Sequence, residues 1–395
     1  MGEGCGRRDG VRGRDLGRDR SRDPRRVPAR RPGGPVRRAG LGRERGRSAA
    51  PRGRGTSPAG LDGGLRPHRP RPEGPRVGDH RRRAPAHGPR RRPRRGGRAR
   101  AVAVRVTVRV PATAANLGPG FDCFGLALDR CNEVTVDTDA EPRVTWEGEG
   151  ADELPTDGTD MVSRAIAATV ARQARIHPGA EIRSFALHGV NRIPLERGLG
   201  SSSAAAVAGT ALASALLGPA GLGDDPYATF AYAAELEGHP DNAAPATYGG
   251  LTVIADGHVR RFDVAGTISP VALIPPFRLP TEEARRALPE RVPLRDAVYN
   301  VAHGALVIQA LVSGDHDLLG VALRDRLHES VRLALVPEVR EAFERLRRSM
   351  PVCVSGAGPT LLAFPGDPAA VPDPGEGWRA LPVRVRATGV EIIRR

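Results

Sequence analysis

The segment RGLGSSSAAAVAG, residues 197–209, runs two glycines and three serines into a string of small apolar residues. Composition alone fits a flexible linker as well as a backbone cradle for a phosphate. The flanks decide between them. FALHGVNRIP (185–194) reads as a strand leading in, and residues 202–217 are Ala-rich and helical. A loop that opens a helix presents unpaired backbone N–H groups at the positive end of the helix dipole. Glycine lets an anion approach closely, and serine hydroxyls ligate Mg2+ or hydrogen-bond phosphate oxygens. A plain strand–helix turn with a serine N-cap is the other reading of the stretch taken alone. The chain contains no lysine, which excludes a Walker loop and a protein-kinase site, since both need a lysine on the phosphates.

The 395-residue chain carries a formal charge of +16, unevenly spread. Residues 1–100 hold 32 Arg against 9 acidic residues, whereas residues 101–395 hold 29 Arg against 36. RRRAPAHGPRRRPRRGGRAR (81–100) typifies a leader, residues 1–101, with too few aliphatic side chains to offset the entropy of ordering, so disorder is expected there. Three readings of it stand: a start codon assigned too far upstream, with Val102 or Val104 as the true beginning; a tail without a specific role; and a nucleic-acid-binding arm. Few aromatic residues are available for base stacking, and the acidic body is not expected to bind nucleic acid. Cys5, Cys123, Cys131 and Cys353 form no CxxC pair and no Cys/His cluster, which speaks against zinc and disulfides and for reduced thiols in a cytoplasm. No apolar run reaches membrane-spanning length, and the leader lacks the apolar stretch of a secretory signal.

The body reads as α+β, with domains at 102–265 and 266–395. VRVTVRV (104–110) and NEVTVDTD (132–139) alternate as half-buried strands, and the glycine-bearing segment 111–128 between them reads as a loop. Helices are expected at 160–175 and 225–238, and a hairpin at 249–264 turning on Asp256-Gly257. A strand at 269–276, helices near 281–289, 295–313 and 337–349, and a strand–glycine-turn unit at 351–366 complete the pattern.

Four motifs now give a resemblance. PLERGLGSSSAAAVAG (194–209) resembles the second motif of the GHMP kinases, which phosphorylate small hydroxyl metabolites. VPATAANLGPGFDCFGLAL (110–128) is similar to the first motif in its homoserine kinase form, and EGHPDNAAPATYGGL (237–251) to that subgroup's middle signature. VSGAGPTLLAF (354–364) resembles the third. The four stand in family order, and the resemblance covers 104–395 and none of the leader. It implies a two-domain fold, a ribosomal protein S5 domain 2-like ATP-binding domain followed by a ferredoxin-like one, in a cytoplasmic protein; the sequence leaves the oligomeric state open, with a homodimer as one option. It further implies ATP, Mg2+ and L-homoserine as the reactants, with O-phospho-L-homoserine as product on the way to threonine. Another small-molecule kinase of the family, acting on a mevalonate-type, diphosphocytidyl-methylerythritol or sugar substrate, is the second reading.

The resemblance also implies roles. Pro194, Leu195, Glu196, Arg197, Gly198, Leu199, Gly200, Ser201, Ser202, Ser203 and Ala204 cradle ATP. Ser202 and Glu235 hold the metal, with Glu237 as the alternative carboxylate two residues on. Asn116, Asp122, His239, Asn242, Arg285 and Arg332 bind substrate, Asp122 suiting an ammonium and the two arginines a carboxylate. Sister kinases place an Asp where Asn242 stands. An amide is no base, so transfer is expected to run on positioning and charge neutralisation, with the neighbouring Asp241 turned away. Leu195 and Glu196 depart from the small or polar residues expected in the loop, and HESVR (328–332) lacks a proline often found before this arginine.

Overall fold

The computed structural model describes residues 104–223 and 225–394. The leader expectations for residues 1–101 lie outside the described residues. The chain begins with β1 (Arg105–Ala115), β2 (Phe124–Asp137), β3 (Arg143–Gly148), α1 (Met161–Ile176), β4 (Ala186–Asn191) and α2 (Ser201–Leu217). It continues with α3 (Pro226–Glu237), α4 (Pro240–Tyr248), β5 (Leu251–Ala255), β6 (His258–Phe262) and β7 (Val271–Ile274). α5 (Thr281–Arg286), α6 (Leu294–Ser313), α7 (His316–Ala322), α8 (Glu329–Ala334) and α9 (Pro337–Leu346) follow. β8 (Val352–Val354), β9 (Leu361–Ala363), β10 (Arg379–Pro382) and β11 (Glu391–Arg394) close the chain.

The first sheet has the order β11-β1-β2-β4-β3, with β5 and β6 attached through the start of β2. Alternation in β1 sends Val106, Val108 and Val110 into the core, as the strand period requires. The two central strands are longer than their sequence patterns indicate. β1 pairs with β2 as far as Ala115, opposite Gly125, which shrinks the expected 111–128 loop to 116–123. Small residues occupy these strand ends because helix α4 lies directly on them. A side chain at Gly125 would meet the Asp241 carbonyl at 2.2 Å. Tight packing of this kind selects Ala and Gly, which read as loop in a sequence. The Asp256-Gly257 hairpin forms where expected, with both residues at positive φ.

α2 is buried nearly all round and is the central helix of the domain. With the short turn after it, it is long and apolar enough to cross a membrane, but most of that stretch is buried inside the fold.

The second sheet, β10-β7-β9-β8, is antiparallel throughout. Ala272, Ile274, Leu362 and Phe364 join the core shared with the first sheet, α6 and α7. Val271, Leu273, Leu361 and Ala363 pack instead with Leu333, Phe343 and Leu346 from α8 and α9. A sheet covered on both faces needs apolar residues at every position, which is why VALI, VCV and LLA are continuous runs. The last strand, β11, returns to the first sheet beside β1.

One buried carboxyl ties α8 to β8. Glu329 is 3% exposed, and its Oε1 accepts from the Val354 amide at 2.8 Å. Burial pushes its pKa from 4.5 up to about 8. The folded protein therefore holds a proton that the unfolded chain releases between pH 4.5 and about 8, so this group's contribution to stability declines as pH rises through that window. Denaturant unfolding at pH 5, 6.5 and 8 is expected to show Glu329→Gln gaining on the wild type by a few kcal/mol from the lowest to the highest pH. A gap constant with pH contradicts the buried acid.

Candidate active site

The glycine-serine loop lies between β4 and α2. Gly198, at φ 72°, touches the 355–358 turn: a Cβ there would stand 2.2 Å from the Ser355 carbonyl. Ser355 Oγ donates to the Gly198 carbonyl at 2.7 Å, and the Thr113 amide donates to the Leu199 carbonyl at 3.1 Å. The loop is thus clamped between the end of β1 and the turn that follows β8. α2 starts after Gly200, which is left-handed and supplies no side-chain cap. The first-turn N–H groups of a 17-residue helix therefore open on the cleft without a side-chain partner, the arrangement that receives an anion.

The cleft is open to solvent on one side and has a volume of about 150 Å³. Of the residues expected to act, it gathers Asn116, Asp122, Ser202, His239, Asn242, Arg285 and Arg332. Pro194, Glu196, Arg197, Gly198, Leu199, Gly200, Ser201 and Ser203 line it as well. The Arg197 guanidinium turns to the Pro275 and Pro276 carbonyls, at 3.1 and 2.9 Å. Glu196 lies 3.8 Å from Arg278, which offsets the charge that made it an unwelcome loop residue.

Glu235 is the residue that the structure does not bring in. It projects from the far side of α3, pairs with Arg172, and lines a separate groove with Tyr232 and Thr169. Two residues along a helix is about 200° of rotation, so Glu235 faces away from the cleft and the weighed alternative, Glu237 at the helix end, is the carboxylate that lines it. Ser202 Oγ donates to Glu237 Oε1 and Ser203 Oγ to Oε2, each at 2.7 Å. A carboxylate and two hydroxyls at a helix N-terminus form a hard oxygen set that fits Mg2+, which keeps waters and takes phosphate oxygens. Among the described residues, no group of three or more His, Cys, Asp and Glu side chains gathers to cage a cation.

Across the cleft, Arg285 from α5 holds Asp122 in a two-pronged pair at 2.9 and 2.8 Å, which raises the guanidinium's pKa. Asp122 sits at φ 55° in the 116–123 loop, which Asn116 braces. The Asn116 Oδ1 accepts from the Asp122 amide at 2.9 Å, and its Nδ2 donates to the Gly356 carbonyl at 2.7 Å. Arg332 donates to the same carbonyl at 2.9 Å. Thr113 Oγ1 donates to Asn242 Oδ1 at 2.7 Å, which fixes the amide so that Nδ2 is the end left for a ligand.

Asp241 was expected to turn away from this site. It lines the cleft at 5% exposure. Burial, then Asp122, raises its pKa to about 6. It belongs to α4, a helix with Pro240 at its start and Pro245 inside it. Two prolines hid that helix from a reading of propensities.

A second, narrow cavity, of about 50 Å³, shares Ser201 with the cleft and is walled by Trp146, Met161, Leu195 and Ala204. Its buried Asp160 Oδ2 and Asn191 Oδ1 have no hydrogen-bond partner. The slot is mainly apolar, as suits a flat heterocycle.

With that geometry in place, the comparisons with known proteins are specific. The family described as GHMP kinases N terminal domain matches residues 160–250, and GHMP kinases C terminal matches residues 307–375. A homoserine kinase of Clavibacter michiganensis is 46% identical over 272 residues, 67% of this chain and 84% of that protein. One from Streptomyces avermitilis is 41% identical over 304 residues, 74% of this chain and 97% of its own length. The crystal structure of homoserine kinase from Cytophaga hutchinsonii superposes with a TM-score of 0.62 at 26% identity, covering 73% of this chain and 97% of that one. The fold is therefore the two-domain fold of the GHMP kinases, and the chain belongs to that family in its homoserine kinase branch.

Proposed function

We propose that the protein transfers the γ-phosphoryl group of ATP to the terminal hydroxyl of L-homoserine, forming O-phospho-L-homoserine on the route to threonine. The observation that carries this reading is the placing of two carboxylates and two guanidiniums opposite an uncapped helix N-terminus in one cleft. Homoserine is a zwitterion with a hydroxyl. Asp122 and Asp241 suit its ammonium, Arg285 and Arg332 its carboxylate, and Asn242 Nδ2 its hydroxyl oxygen. The relatives of known name support the same substrate. A mevalonate or sugar hydroxyl brings no ammonium to balance Asp122 and Asp241.

In-line transfer to an alcohol asks the protein mainly to position reactants and to neutralise charge. The loop at 194–204 and the first turn of α2 receive the triphosphate, and the apolar cavity beside Trp146 and Leu195 receives the base. Ser202, Ser203 and Glu237 would hold Mg2+, which would shield the phosphate oxygens from one another. Asn242 donates to the hydroxyl oxygen and leaves a lone pair free to face the phosphorus; as the new O–P bond forms and the bond to ADP breaks, the hydroxyl proton passes to an oxygen of the transferred phosphoryl group. His239 contributes a polar wall on the substrate side. The reaction belongs in the cytoplasm, where the free thiols of Cys123, Cys131 and Cys353 stay reduced.

ADP release measured in parallel with L-homoserine, mevalonate, shikimate and galactose tests the reading. Turnover is expected with L-homoserine, and its absence there refutes the assignment. For the metal, Glu237→Gln is expected to lower kcat by about 100-fold and to raise the Mg2+ concentration required. Glu235→Gln, which breaks an exposed ion pair, should stay within about twofold; equal losses in the two variants contradict the placement of the metal. For the substrate, protonation of Asp241 weakens its hold on an ammonium, so kcat/KM for homoserine should fall as pH drops through about 6. Asp241→Asn is expected to be slow and to lack that acid limb. A variant that keeps it shows that another group titrates.

A further inference from the structure

The two arginines of the cleft are held differently. Arg285 is aimed by a carboxylate, Asp122. Arg332 is 3% exposed and has no carboxylate within ion-pair distance among the described residues. Its recorded anchors are both through Nη1, to the Gly356 carbonyl at 2.9 Å and to Nδ1 of His328 at 3.1 Å.

His328 is fully buried, and each of its ring nitrogens has one partner. Nε2 lies 2.8 Å from the Gly118 carbonyl, which only accepts, so Nε2 carries the proton. Arg332 Nη1 only donates, so Nδ1 must offer a lone pair. Both contacts select the same neutral tautomer. Burial holds the ring neutral and Arg332 adds to the effect, while Asp325, 3.9 Å away, opposes it. A charged ring would set an N–H against the guanidinium.

The support extends outward. Asp325 Oδ2 accepts from the amides of Leu327, His328 and Glu329, which pins the turn that carries the ring. Asn300 donates to Asp325 and to the Pro119 carbonyl. The Phe121 ring lies 5.2 Å from the His328 ring and 5.2 Å from the Arg332 guanidinium carbon, a favourable cation–aromatic contact. His328, the N-cap of α8, and Arg332, in its last turn, stand four apart and meet through Nδ1 and Nη1.

We infer that His328 is a positioning residue: it fixes the direction of Arg332 from the loop at 116–123 and so sets selectivity for a substrate bearing an α-carboxylate. The inference rests on the reading that Arg332 takes that carboxylate. It assigns the imidazole no contact with substrate and no proton transfer.

Two substitutions separate aiming from filling. In His328→Asn the amide oxygen falls close to the place of Nδ1 and retains an acceptor for Arg332. In His328→Gln the amide nitrogen reaches the Gly118 carbonyl and leaves nothing at Nδ1. Calorimetry on the full chain would compare L-homoserine with 3-aminopropan-1-ol, the same molecule without its carboxylate, and record the unfolding midpoint of each variant. His328→Gln is expected to weaken L-homoserine by about tenfold or more, the worth of one charge-assisted hydrogen bond. It should leave 3-aminopropan-1-ol and ATP binding unchanged, with His328→Asn close to wild type. The inference is overturned if His328→Gln weakens both ligands alike or neither, or if His328→Asn is as poor. A wild-type protein that binds the two ligands equally refutes the carboxylate clamp itself, which is a separate failure.

Discussion

The backbone of Gly356 is where the halves of the cleft meet. Its carbonyl accepts from Asn116 of the first motif and from Arg332 of α8, and its amide donates to the Ala115 carbonyl at the end of β1. Gly198 of the glycine-serine loop packs against the same turn. Substrate-side groups and the phosphate loop are therefore referred to one short backbone segment rather than to separate surfaces. Phosphoryl transfer tolerates little misplacement between the attacking oxygen and phosphorus, and a shared anchor of this kind limits it.

Electrostatics in the cleft follow from the same crowding. Asp122, Asp241, Arg285 and Arg332 stand together on one side of this partly buried cleft, and an unpaired charge there would be costly. The fold answers each case separately. Asp122 and Arg285 neutralise one another, Asp241 takes up a proton more readily than a free carboxyl, and Arg332 is steered by a neutral ring. A zwitterionic ligand can replace such internal compensation, since it brings one charge of each sign.

Much of the fold could be read from the chain. The strand–loop–helix setting of 197–209 and the Asp256-Gly257 hairpin rest on local rules, and both form as the pattern indicates. What escaped was set by tertiary packing. The ends of β1 and β2 carry Ala and Gly because α4 lies on them, and α4 itself is masked by Pro240 and Pro245. β3, a partly exposed strand at the end of its sheet, gives no alternating core signal. In the site, the motifs locate the loop and the substrate residues, but the choice between Glu235 and Glu237 depends on the rotation of a helix about its axis. The raised pKa of Asp241 and the tautomer of His328 depend in part on groups far off in the chain, Asp122 and the Gly118 carbonyl.

A crystal structure with L-homoserine and a non-hydrolysable ATP analogue bound tests the account most directly. The account predicts the amino-acid carboxylate on Arg285 and Arg332, the ammonium between Asp122 and Asp241, and the hydroxyl oxygen beside Asn242, about 3–3.5 Å from the γ-phosphorus and in line with the bond to be broken. Homoserine bound with its carboxylate toward the helix α2 N-terminus, or outside this cleft, would contradict it.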